Sequence, residues 1–118
     1  MRRQFLCNYD DIEEGKARGF ALDGGEEASH FAVKKDGEIY AYRNFCPHLG
    51  VNLEWLPDQF LDADGELIQC ATHGALFLPT SGECVAGPCT GASLTPVPVE
   101  HTAEGLFVLL PFKEQQPA

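Results

Sequence analysis

Two short segments hold the residues best suited to chemistry: Cys46-Pro47-His48-Leu49-Gly50 and Cys70-Ala71-Thr72-His73-Gly74. Each offers one thiol and one imidazole, one or two residues apart, with a glycine close by. Positions 49–69 separate His48 from Cys70. Cysteine thiolate and imidazole nitrogen are both good ligands for transition metals. Four of them in two matched loops fit a single four-coordinate metal. They also fit two metal atoms, with each loop giving its Cys to one and its His to the other. Structural zinc sites usually pair Cys with Cys and His with His along the chain. Here each loop mixes the two types, which disfavours zinc. The remaining histidines, His30 and His101, stand alone in the sequence and read as structural or surface residues. The remaining cysteines, Cys7, Cys84 and Cys89, form no evident disulfide framework, although Cys84 and Cys89 are near enough to pair if the chain turns between them.

The pattern C-x-H-x21-C-x-x-H-G resembles that of the Rieske [2Fe–2S] family, and the resemblance extends over most of the chain. It implies one [2Fe–2S] cluster per chain, with Cys46 and Cys70 on one iron and His48 and His73 on the other. Pro47 would stiffen the first loop. Gly50 and Gly74 would allow tight turns that aim backbone N–H groups at sulfur. The segment Ala86-Gly87-Pro88-Cys89-Thr90-Gly91 matches in kind the proline-containing loop that covers the cluster in this family. Val51 and Thr72 occupy the positions where Rieske proteins of cytochrome bc complexes carry a pair of disulfide-bonded cysteines. Ala75 and Phe77 stand where those proteins place a Ser and a Tyr that donate hydrogen bonds to sulfur. Donors at sulfur raise the potential, so their absence implies a low-potential, ferredoxin-like member.

The resemblance further implies a one-electron carrier, or a component of an oxidoreductase system, and not an enzyme on its own. Its partners would be a reductase and a terminal oxygenase or reductase. Two other readings share the motif: a small Rieske subunit of a larger oxidoreductase, as in nitrite reductase, and a redox-sensing module using the cluster or Cys84 and Cys89. An oxygenase α-subunit would need a second iron site with two His and a carboxylate, and only His30 and His101 remain to supply it. The inter-loop segment is longer than expected for a Rieske ferredoxin. Its surplus falls in Glu54-Trp55-Leu56-Pro57-Asp58-Gln59-Phe60, where Trp55 and Leu56 would be a docking knob or Trp55 a packing anchor.

Positioning two loops of this kind calls for short strands. Helical periodicity is weak, while runs rich in β-branched and aromatic residues recur between turn signals, which predicts an all-β domain. Residues 30–35 and 38–43 flank Asp36-Gly37, the strongest hairpin signal in the chain. Residues 60–61 and 66–69 flank Asp62-Ala63-Asp64-Gly65, a hairpin that leads into the second loop. Residues 75–78 and 83–85 flank Thr80-Ser81-Gly82, and residues 96–100 and 106–110 flank a turn at 101–105. Pro96 and Pro98 push the first of that last pair to an edge. Residues 10–14 alone suggest a short helical turn. With the resemblance, these elements predict a Rieske-like antiparallel β sandwich or barrel base, about 1–43 and 93–118. A cluster-binding subdomain of two hairpin loops, about 44–92, would be inserted in it, all within one domain of 118 residues.

Lys and Arg number 8 against 18 Asp and Glu, a net charge of −10. No basic cluster exists to bind nucleic acid. The acidic surplus suits solubility or attraction to a basic face on a redox partner. The apolar run at 106–110 is far too short to span a membrane, and the N-terminus lacks the apolar core of a signal peptide. A cytoplasmic setting is therefore expected.

Overall fold

The computed structural model describes residues 2–22, 28–45, 47, 53, 58–62, 64–71, 74–87 and 91–110. Within them lie strands β1 (Arg2–Cys7), β2 (Ala17–Phe20), β3 (His30–Lys35), β4 (Glu38–Arg43) and β5 (Ile68–Gln69). They are followed by β6 (Leu76–Phe77), β7 (Cys84–Ala86), β8 (Pro96–Val97), β9 (Val99–Thr102) and β10 (Gly105–Leu110). One 3₁₀ turn, Tyr9–Asp11, stands where the acidic stretch suggested a helical turn. The strands form three antiparallel sheets, ordered β1-β10-β9, β2-β3-β4-β8 and β5-β6-β7. The fold is all-β, as the turn signals predict.

The β3–β4 hairpin is the centre of the molecule. Asp36 and Gly37 both have positive φ, 53° and 82°, the conformation that lets a two-residue turn follow the twist of its strands. The Glu14 carboxylate accepts hydrogen bonds from both turn amides, Asp36 N–H at 2.6 Å and Gly37 N–H at 2.8 Å. Those bonds, that of Gly37 foremost, hold the Glu14 carboxyl below its ordinary value.

Strand β3 is buried along almost its whole length, with no alternation between buried and exposed positions. The reason is that its sheet lies between two cores. Phe31 and Val33 of β3 and Tyr42 of β4 join a core with Leu53, Phe60, Ile68, Cys70, Ala75, Phe77, Cys84 and Leu94. Ala32 and Ala41, on the alternate positions, join Cys7, Ile12, Val97, Leu106, Val108 and Leu110. A strand covered on both faces reads as a continuous apolar run, as His30-Phe31-Ala32-Val33 nearly does. The first core ties the middle sheet to β5-β6-β7, and the second ties it to β1-β10-β9. Phe60 stacks on Phe31 at 4.3 Å between ring centres with planes 7° apart.

One expectation changes on contact with the structure. Residues 96–100 do not form one strand. β8 pairs with β4, whereas β9 pairs with β10 in a different sheet. Pro98 lies at the switch: it has no N–H to continue a ladder, while its carbonyl still accepts from Leu109 N–H at 3.0 Å. Both resulting strands are edge strands. The hairpin expected over 60–69 is present: Asp62 N–H donates to Leu67 O and Gln69 N–H to Phe60 O, each at 2.8 Å, on either side of a Leu61–Ile68 bridge. The Asp62 carboxylate closes its turn by accepting from the Glu66 and Leu67 N–H groups.

Tyr42 bolts the middle sheet to the β6–β7 turn. It is 2% exposed, and its hydroxyl donates to Pro79 O at 2.6 Å. Tyr42→Phe leaves that carbonyl unpartnered and should cost about 1–3 kcal/mol of unfolding free energy, measured by denaturant titration. Burial, with Tyr40 adding to it, pushes the Tyr42 hydroxyl up to about 12 from an ordinary 10. Its contribution is therefore complete below pH 10 and drains away as pH rises toward 12. The variant should lack that alkaline loss.

Candidate metal centre

Both motif loops start from strand ends at one end of this framework. Strand β4 ends at Arg43, whose N–H donates to Thr95 O at 3.0 Å. Asn44 follows, 4% exposed, with its N–H on Ser29 O at 2.9 Å. Its side-chain Nδ2 donates to Ala28 O at 2.8 Å, and its Oδ1 accepts from Leu53 N–H at 2.8 Å. One asparagine thus anchors both the start and the return of the first loop. Cys46 and His48 lie between those points and outside the described residues. Pro47 is in a turn and partly buried.

The second loop is tighter. Strand β5 delivers Cys70, fully buried. The Cys70 N–H donates to Ala75 O at 2.9 Å, and Cys70 O accepts from Gly74 N–H at 2.7 Å. The chain thus reverses direction between Cys70 and Gly74. Gly74 has φ +70° with open space where a Cβ would be, so the backbone conformation calls for glycine there, not crowding. His73 lies inside this reversal and outside the described residues. The two loops are joined directly, since Ala71 N–H donates to Leu53 O at 2.8 Å.

The segment expected to cover the site begins at Gly87, with φ +99°. A Cβ there would stand 2.8 Å from the Ala75 Cα, so backbone meets backbone between this segment and the second loop. Pro88, Cys89 and Thr90 lie outside the described residues, as do Gly50, Val51, Thr72, Trp55 and Leu56. Any pairing of Cys84 with Cys89 falls there too.

The other sulfur and nitrogen groups are placed elsewhere. Cys7 belongs to the second core, in β1, where burial pushes its thiol up, a contribution that the positive charge of Arg18 partly opposes. His101 is in β9, stacked on the Tyr9 ring at 4.4 Å. His30 opens β3, with its Nδ1 2.7 Å from Ser29 Oγ. Cys84 sits in β7 within the same core as Cys70, its thiol directed at Ala86 O at 3.2 Å. Among the described residues, no three His, Cys, Asp or Glu side chains gather into a metal-holding group. Sequence reasoning missed Asn44 and Leu53. The only signal was an amide residue two positions before the first motif cysteine.

A buried cysteine in a tight, glycine-closed loop, tied by a backbone hydrogen bond to a second Cys/His loop, suits a cluster shared between the two. The model of one family matches residues 2–103, and that family is the Rieske [2Fe–2S] domain. The chain belongs to the Rieske [2Fe–2S] family. The family's cofactor is a [2Fe–2S] cluster, one per chain. Over 117 residues the Rieske chain is 30% identical to the 3-phenylpropionate/cinnamic acid dioxygenase ferredoxin subunit of Shigella boydii serotype 4. That match covers 99% of this chain and 100% of the relative. The ferredoxin component of the naphthalene 1,2-dioxygenase/salicylate 5-hydroxylase systems of a Ralstonia species is 34% identical over 93 residues, covering 78% of this chain and 82% of its own.

Solved structures agree on the fold. A ferredoxin of Sphingomonas yanoikuyae B1 superposes with a TM-score of 0.72 at 23% identity, covering 93% of this chain and all of its own. The ferredoxin of carbazole 1,9a-dioxygenase from Nocardioides aromaticivorans IC177 gives 0.70 at 22% identity, covering 92% and 97%. The donor set of the Rieske motif suits the cluster: two soft thiolates on one iron and two imidazoles on the other.

Gly87→Ala tests the seat of the covering segment. The added methyl meets Ala75 backbone at a φ that side chains rarely adopt, a strain of about 1–3 kcal/mol. Denaturant titration should show that loss, and the visible absorbance should bleach faster under a chelator than in the parent protein.

Proposed function

We propose that this protein is a Rieske-type ferredoxin that carries one electron at a time from a reductase to a terminal oxygenase. The observation that carries the reading is the match along 99% of the chain to ferredoxin subunits of dioxygenase systems, with the paired Cys/His loops inside it. In this reading Cys46 and Cys70 hold one iron, and His48 and His73 hold the other. The cluster, when bound, supplies a site that takes up and releases a single electron. The protein's own residues hold the loops at fixed separation, keep water from the sulfur side and offer an exit for the electron at the histidine side. The whole chain works as one Rieske domain, with the cluster-binding part at about 44–92 inserted in a base of 1–43 and 93–118.

Cys70 is fully buried, which supports a reading in which the thiolate side faces the core. Phe45, 49% exposed, directly precedes Cys46 and offers apolar surface beside the first loop. A partner oxygenase or reductase would cover it. A net charge of −10 would draw such a partner by a basic face, an attraction that salt weakens. Among the described residues no helix is long and apolar enough to cross a membrane, and we place the protein in the cytoplasm.

Purification without air, followed by visible spectroscopy and EPR after dithionite reduction, tests the reading. A red-brown protein with a rhombic signal of low average g is expected, and a colourless protein with one zinc per chain would overturn it. The potential should lie toward the low end of the Rieske range of about −150 to +300 mV. Ala75 and Phe77 are both fully buried apolar residues, with no hydroxyl to donate to sulfur. Each absent donor is worth roughly 40 mV if it strengthens by about 1 kcal/mol on reduction. A redox titration giving a midpoint near the upper end would contradict this.

A further inference from the structure

We propose that Asn44 is a positioning residue that sets the distance between the two cluster loops through a relay of hydrogen bonds. The relay runs from Asn44 Oδ1 to Leu53 N–H at 2.8 Å, along the Leu53 peptide, and from Leu53 O to Ala71 N–H at 2.8 Å. It begins two residues before Cys46 and ends at the residue after Cys70. It therefore joins the roots of both proposed thiolate ligands without using either ligand.

The chemistry of the position calls for a neutral amide. Nδ2 donates to Ala28 O and Oδ1 accepts from Leu53 N–H, and an amide side chain does both without charge, from two separate atoms. The environment raises the stakes, since Asn44 is 4% exposed and Leu53 fully buried. Water cannot readily replace either bond. The far end of the asparagine is also fixed, because its own N–H is held by Ser29 O in the segment entering β3. The first loop is thereby referred to the middle sheet, and the second loop is referred to the first. Leu53 adds packing to the relay, as its side chain lies in the core that also contains Cys70 and Ala75. Loop spacing of this kind determines whether four ligands meet one cluster without strain.

The inference rests on the ligand assignment proposed above, and its test has one readout that needs no cluster. Two variants separate the bonds. Asn44→Leu has nearly the same shape and removes the side-chain bonds to Ala28 and Leu53. Asn44→Asp keeps an oxygen for Leu53 N–H and loses the donor to Ala28 O. Amide hydrogen exchange at Leu53 and Ala71, chelator-driven loss of visible absorbance, and EPR g-values of the reduced protein are measured for each. In Asn44→Leu both amides should exchange about tenfold faster or more, the cluster should be lost about 10- to 100-fold faster, and the g-values should move. Asn44→Asp should stay close to the parent protein in all three while melting at a lower temperature. The proposal is overturned if exchange at Ala71 or cluster loss in Asn44→Leu stays at the parent rate, or if Asn44→Asp fails to the same extent. Should Asn44→Leu not fold, Asn44→Ala takes its place: faster exchange at Ala71 and faster cluster loss support the relay, and parent rates overturn it. A parent protein that binds no cluster would sink the ligand assignment, while exchange at Leu53 and Ala71 would still decide the relay.

Discussion

The arrangement depends on one sheet being covered on both faces. Strands β3 and β4 send Phe31, Val33 and Tyr42 into one core and Ala32 and Ala41 into the other. A sheet buried on both sides cannot slip by a residue without exchanging its two sets of side chains. Large aromatic rings would then face the space now filled by alanines. The register from His30–Arg43 to Lys35–Glu38 is thereby locked, and the place where β4 ends is locked with it. Everything in the first metal loop is measured from that end.

The same sheet gives the molecule two unlike ends. At the Asp36–Gly37 turn the carboxylate of Glu14 binds both turn amides, and Lys35 pairs with Glu66 at 2.7 Å. Glu14, Asp36, Glu38 and Glu66 are thus gathered at the turn end of the hairpin. The two Cys/His motif loops leave from the other end, six strand residues away, roughly 17–20 Å. That exceeds the screening distance of about 8 Å at physiological salt. Charges at this end therefore have little direct effect at the loop end. The potential is left to groups near the loops, such as the apolar Ala75 and Phe77.

Between the ends, the cluster-loop region is fastened to the sheet at several independent points. Tyr42 binds Pro79 O, Phe31 stacks on Phe60, Asp58 accepts from Gly19 N–H at 2.7 Å, and Asn44 holds Leu53. None of these partners is close in sequence. Each joins a strand of the middle sheet, or its end, to a segment that carries or supports a loop. Fastenings of this kind keep ligands at fixed separation while the cluster changes charge, which lowers the reorganisation that electron transfer demands.

The ligand types, their spacing, the Asp36-Gly37 turn and the absence of helical periodicity are local properties. Local pattern alone was therefore enough for the all-β class and the central hairpin, and the motif's resemblance to the Rieske family for the cofactor. Pro96 and Pro98 were readable as marks of an edge strand, because a residue without an N–H cannot donate to a ladder. That the chain changes sheet at Pro98 was not readable, since it depends on which edge β8 and β9 find in space. Strands β1 and β2 went unseen for a related reason. Arg2–Cys7 mixes charged and apolar residues, and only pairing with β10 gives its inward positions a core to face. Beyond its place two residues before Cys46, nothing in the sequence marked Asn44. Its two-sided role exists only because Ala28 O and Leu53 N–H arrive on opposite sides of one amide, and tertiary structure alone brings such distant groups together.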